Sequence, residues 1–144
     1  MPDWGLLVQA PGVHHRLRRS LAAEDDEKAP LSFQILVALA DGPKHGYGIL
    51  KEIEEASGER LKSSTGTLYL AIQRLAQEGL IEEDAAVAAG DSRRRYYRLT
   101  PDGREVAVAE TRRLASLLGV ACGKKLVGAR QLEGLLKEST ARKP

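Results

Sequence analysis

One cysteine, Cys122, occurs in 144 residues. That scarcity excludes an internal disulfide and a cysteine-only metal cluster, and it fits a reducing compartment. Aromatic side chains make up 4% of the chain, and Trp4 lies outside the apolar segments. Nothing in the sequence therefore specifies a pocket for a small aromatic ligand. A run of about 18 apolar residues, which a membrane span needs, is absent, and Trp4 to Val8 is too short and lacks a basic leader. Neither a span nor a secretory signal is expected, and the expected location is the cytoplasm. Histidines are few: His14-His15 and His45 have no partners at metal-ligand spacing, and Cys122 has no histidine beside it. The acidic run Glu24 to Glu27 reads as a solvated patch, and Gly46-Tyr47-Gly48 is not followed by the signature of a phosphate loop. No catalytic residue, metal or cofactor is expected.

What remains is an ordinary globular composition, 42% apolar, on a length that suits one core of common domain size. The net charge of +2 is too small to argue for nucleic acid, yet it is unevenly distributed. Arg60, Lys62 and Arg74 bracket one segment, and Arg93, Arg94, Arg95 and Arg98 cluster after it, while acids collect at Glu52 to Glu59 and Glu78 to Asp84. Two basic clusters of this kind are solvated faces or phosphate contacts, and composition alone does not choose.

Apolar periodicity orders the middle of the chain. Leu31, Ile35 and Leu39 predict a buried first helix that Asp41-Gly42-Pro43 stops. Ile49, Ile53 and Ala56 predict an amphipathic second helix over His45 to Ser57, capped by Gly58. Leu68, Ile72 and Leu75 put one apolar face on a third helix from about Ser64 to Glu78, closed by Gly79. The opposite face carries Gly66, Gln73, Arg74 and Gln77, and Ser63 or Ser64 can cap the first turn at an end whose dipole favours phosphate. Leu70 also falls on the open side, where it meets either a thymine methyl or the neighbouring loop.

Leu80-Ile81 then predicts a brief strand, residues 84–92 a loop, and Arg93 to Leu99 a returning strand with Tyr97 and Leu99 inward and Tyr96 outward. Thr100-Pro101-Asp102 predicts a fourth helix by N-cap, proline at the first position and an acid in the first turn, running to about Leu118. Along it Ala107, Thr111, Leu114, Leu118 and Ala121 form a heptad-like seam, for the chain's own core or for a partner helix. Leu132, Leu135 and Leu136 predict a last helix from about Ala129 to Glu138. At the other end, Val13, Leu17 and Leu21 suggest an accessory helix whose charge order opposes its dipole. The expected fold is mainly α with a small two-stranded β wing: a winged helix-turn-helix over 30–100, an N-terminal extension over 1–29 and C-terminal helices over 101–144.

The motifs Gly42-Pro43, His45-Gly46-Tyr47-Gly48-Ile49, Ser64-Thr65-Gly66-Thr67-Leu68-Tyr69, Arg74-Leu75, Gly79-Leu80-Ile81 and Arg93 through Gly103 occur in one order. The segment from Leu31 to about Glu105 thereby resembles the PadR-like transcriptional regulators, in what looks like a short-tailed form. The resemblance implies a cytoplasmic homodimer that binds double-stranded DNA at an inverted repeat, as a repressor, with dimerisation through Ala107, Thr111, Leu114, Leu118 and Ala121. It implies DNA contacts from Lys44, Tyr47, Lys62, Ser63, Ser64, Thr65, Gly66, Thr67, Tyr69, Gln73, Arg74, Arg93, Arg94 and Arg95. It also implies a small-molecule effector, which no residue here identifies. The loop from Asp84 to Asp91 departs from a basic wing tip. A winged helix serving protein interaction without sequence-specific DNA binding is the alternative.

Overall fold

The computed structural model describes residues 31–57, 65–85 and 94–141. The expected N-terminal helix, the Gly58 cap, Lys62, Ser63, Ser64, Arg93 and most of the wing loop lie outside the described residues.

Helix α1 (Leu31–Ala38) is apolar around most of its circumference, and it occupies the centre. It touches α2 (Gly46–Ser57), α3 (Thr65–Gln77) and α4 (Pro101–Gly123), and Ile35, Leu36 and Leu39 are fully buried among them. From α2, Ile49 and Ile53 enter this core, and from α3, Leu68, Ala71, Ile72 and Leu75 do so. Ala56, expected on the buried side, is exposed, because the apolar contact of α2 ends at Ile53.

The sheet has three strands, not the expected two: β1 (Lys44–His45), β2 (Ile81–Glu83) and β3 (Tyr96–Leu99), all antiparallel with β3 in the middle. Ile81 pairs with Leu99, Glu82 with Arg98 and Glu83 with Tyr97. Tyr97 faces the core while Arg98 faces out and donates to Glu82 Oε1 at 2.9 Å, the alternation that a half-buried strand requires. Arg94 and Arg95 precede the ladder instead of belonging to it.

Two close contacts join α3 to α4. Gly79 stands at the left-handed φ of 77° that ends α3, with Gly79 N–H donating to Ala76 O and Leu80 N–H to Leu75 O, while Leu80 is fully buried. Thr100 then caps α4: its hydroxyl accepts from Gly103 N–H at 3.0 Å and donates to Gly79 O at 2.6 Å, and its own N–H donates to Leu80 O at 3.2 Å. Gly103 is seated so closely that a Cβ would stand 1.9 Å from Leu80 O. The end of one helix and the start of the other are thus one bonded block. Arg104 extends it by donating to Ala40 O at 2.9 Å, just beyond α1.

α4 runs to Gly123, past Leu118, and at 1.5 Å per residue it is about 34 Å long. Its buried residues are Gly103, Val106, Ala107 and Glu110, all in the first half. Glu110, 2% exposed, is paired with the Arg113 guanidinium, and that hydrogen bond holds Arg113 above its ordinary pKa. Leu117, Leu118 and Val120 beyond it are exposed. α5 (Ala129–Ala141) has no buried residue, with Leu132 half-buried and Leu135 and Leu136 exposed.

Candidate nucleic-acid interface

With Leu68, Ala71, Ile72 and Leu75 turned inward, the outward line of α3 is Gly66, Leu70, Gln73 and Gln77, spaced i, i+4, i+7 and i+11. All four are exposed, and Thr67 and Tyr69 flank them. Thr65 opens the helix. Arg74 departs from expectation. It is half-buried at the edge of this line, not on it, and its Nη1 is buried without a hydrogen-bond partner among the described residues.

Beside that line a cleft of about 440 Å³ is formed where α3, the start of α2 and the approach to β3 meet. Tyr47, Tyr69, Gln73, Arg94 and Arg95 line it together with His45, Gly46 and Tyr97. Five residues singled out from the sequence are therefore neighbours in space, although the outermost two are 48 positions apart in the chain. Gly46 is needed there: a Cβ on it would lie 2.7 Å from Tyr69 Cε1. The Tyr69 ring occupies the space that a side chain would fill.

Lys44 is not brought to the cleft. Its ammonium donates to Ala38 O at 2.6 Å and to Asp41 Oδ1 at 2.5 Å, and Glu52 Oε1 lies 3.7 Å away. Burial raises the Glu52 carboxyl above its ordinary pKa, with Lys44 pulling it down. Lys44 therefore ties the α1–α2 turn together and stands apart from the other residues expected to face DNA. Acids of β2 and the residue after it also engage the arginines: Glu83 is 3.6 Å from Arg95, and Glu82 and Asp84 face Arg98 at 2.8 Å and 3.9 Å. The pairs of Glu82 and Glu83 are exposed, hence weak and screened, and they trim the positive field without removing it, while Asp84 is buried.

His45 is the residue that sequence reasoning missed. It immediately precedes α2, and its Nδ1 accepts the Gly48 N–H at 3.0 Å, which makes it the helix N-cap. Its Nε2 lies 2.8 Å from Arg94 Nη1, and the ring stands edge-on to Tyr96 with centroids 5.2 Å apart. A neutral imidazole has one acceptor nitrogen, so the ring serves either the cap or the Arg94 guanidinium. The signal was one residue of register: reading α2 from Gly46 makes His45 its cap. His45→Ala is expected to destabilise the fold by about 1 kcal/mol, and His45→Asn, which keeps an N-cap acceptor, by much less. Thermal unfolding of the two variants checks this.

The seam expected for dimerisation is divided by the fold. Ala107 is buried in the chain's own core, and the Thr111 hydroxyl donates to Ala107 O at 2.7 Å. Leu114 and Ala121 are half-buried and Leu118 is exposed. Among the described residues no cluster of His, Cys, Asp or Glu could hold a metal ion, and no helix is long and apolar enough to cross a membrane.

Residues 35–109 match the transcriptional regulator PadR-like family. The chain is 42% identical over 85 residues to an uncharacterized 37.1 kDa protein in transposon TN4556 of Streptomyces fradiae, covering 59% of this chain and 23% of that protein. It therefore spans about a quarter of that relative's length. It is 34% identical over 91 residues to the transcriptional regulator Rv3488 of Mycobacterium tuberculosis, covering 63% of this chain and 81% of that one. In fold it is similar to a PadR family transcription regulator of Clostridium difficile R20291, with a TM-score of 0.54 and 22% identity over 69% of this chain and 100% of that one.

Proposed function

Because the chain belongs to the PadR-like family of transcriptional regulators, we propose that it represses transcription as a homodimer, each protomer laying α3 in a major groove of an inverted-repeat operator. The observation that carries this reading is the cleft beside the open face of α3, where Arg94, Arg95, Tyr47, Tyr69 and Gln73 converge. Arg94 and Arg95 supply charge to phosphates, and the Tyr47 and Tyr69 hydroxyls donate to phosphate oxygens. A phosphate offered to Arg94 replaces its contact with the His45 ring by a charge-assisted hydrogen bond and leaves the ring to cap α2. Thr65 and Thr67, in the first turn of α3, and Ser63 and Ser64, which precede it in sequence, meet the backbone or base edges, and Lys62 and Arg93 add phosphate contacts.

Residues 101–144 make the dimer in this account. A helix of about 12–15 residues is marginal in water on its own, and α5 buries nothing within its protomer. The exposed leucines of α4 and α5 supply what it would pack against in a second copy. Since α4 is bonded to the end of α3 through Thr100, a change in how the two α4 helices meet moves the two reading helices together. An effector that alters this spacing would release the operator.

Selection of bound duplexes from a random library by the purified protein tests the proposal. The expected product is an inverted repeat with half-site centres about 34–36 Å apart, one helical turn. Enrichment of no sequence would favour the protein-interaction reading instead.

A further inference from the structure

The outward line of α3 is uncharged. Gly66, Leu70, Gln73 and Gln77 present one apolar and two amide side chains, and the arginine of the helix, Arg74, is half-buried beside the line with its Nη1 out of solvent. Leu70 is 63% exposed at the centre of this line, and the wing loop that it was alternatively expected to meet lies outside the described residues. An apolar side chain held out from a helix among polar neighbours loses by solvation unless something apolar meets it.

Major-groove chemistry narrows what that is. Guanine is read through its two acceptors by arginine or lysine and cytosine through its amino group by a carboxylate, and this line has neither a cation nor an acid. Adenine is read bidentately by glutamine, and the apolar group in the groove is the thymine 5-methyl. Leu70 and Gln73 are three positions apart on one face, so their Cβ atoms lie about 5–6 Å from each other. That is the distance between base pairs one to two steps of 3.4 Å apart.

We propose that Leu70 and Gln73 determine sequence specificity by reading A·T pairs, Leu70 packing on a thymine methyl and Gln73 pairing with the N6 and N7 of an adenine one or two steps away. The assignment rests on the reading that α3 occupies the major groove. Gly66, at the end of the line nearest the α3 N-terminus, lets the helix approach closely enough for a side chain as short as leucine to reach the groove floor.

The test uses wild-type protein and duplexes recovered from the random library. Each thymine is replaced in turn by deoxyuridine, which pairs identically but lacks the methyl, and each adenine by 7-deazaadenine, which lacks N7. One thymine per half-site is expected to show an affinity loss of about fourfold, from the removal of one buried methyl. One adenine within two steps is expected to show roughly a tenfold loss. Leu70→Ala binds the thymine duplex more weakly than wild type and no longer distinguishes it from the deoxyuridine duplex, with an unchanged salt slope. Indifference of the wild type to deoxyuridine at every position, or persistence of the deoxyuridine penalty in Leu70→Ala, overturns the assignment while leaving DNA binding standing. Failure to bind any duplex overturns DNA binding itself, and the assignment with it.

Discussion

Gly103→Ala is expected to cost more than about 3 kcal/mol of stability, beyond the usual range for a single surplus methyl group. The added Cβ would stand 1.9 Å from Leu80 O and 3.2 Å from Leu99 Cδ2. The first of these is a backbone atom, and Leu80 is fully buried and bonded through its carbonyl to Thr100 N–H. It has no rotamer by which to yield. Either α4 lifts away from α3 or its N-cap breaks, and both undo the block on which Val106 and Ala107 are brought to the core. At about 3–4 °C per kcal/mol the melting temperature should fall by more than about 9 °C. Gly119→Ala, in the same helix, is the control: nothing lies within 4 Å of its Cβ position, so the substitution should gain up to about 1 kcal/mol in helix propensity. Equal melting temperatures for the two variants would mean that α4 does not sit on Leu80 as described.

Leu118→Glu is expected to abolish dimerisation and reduce operator affinity by more than about 100-fold, while the protomer stays folded. Leu118 is 41% exposed and lies beyond Glu110, the last buried residue of α4, so the substitution disturbs no intramolecular core. In the proposed dimer it places a carboxylate within an apolar contact that includes the exposed Leu117, Val120, Leu135 and Leu136. Burying an unpaired charge there costs far more than the lost methyl groups. The affinity loss follows from linkage, since two joined reading heads gain a factor of about 10² to 10⁴ over one. Sedimentation analysis should show a monomer whose helical circular dichroism falls by no more than the share of α5, and the salt slope on operator DNA should halve. Undiminished affinity in a monomeric variant would rule out dimer-dependent binding.

Much of this architecture was legible because its signals are local. The i, i+4 spacing of Leu31 and Ile35, the left-handed glycine at 79 and the Thr100-Pro101 start each lie within one turn of what they specify, and those helix ends agree within two residues. β1 was illegible for the opposite reason. Two residues show no alternation, and Lys44–His45 is a strand only because Tyr96 and Tyr97 come to pair with it. The same holds for side-chain direction at the site. Lys44 is turned away by Asp41 and the Ala38 carbonyl, and His45 is drawn between Gly48 and Arg94, contacts that charge patterning cannot reveal. The fourth helix ran past Gly119 and through Gly123 because isolated glycines cost about 1 kcal/mol each, less than a long helix can absorb.

That the cleft beside α3 faces a nucleic-acid backbone is the claim on which the functional account stands. Binding of the protein to random-sequence duplex across a salt series measures it directly, with Arg94→Gln and Arg95→Gln alongside. The account predicts binding at low salt, a linear fall of log K with log salt, and a slope shallower by about 0.9 per protomer in each variant. No binding at the lowest salt, or slopes identical in all three proteins, would contradict it.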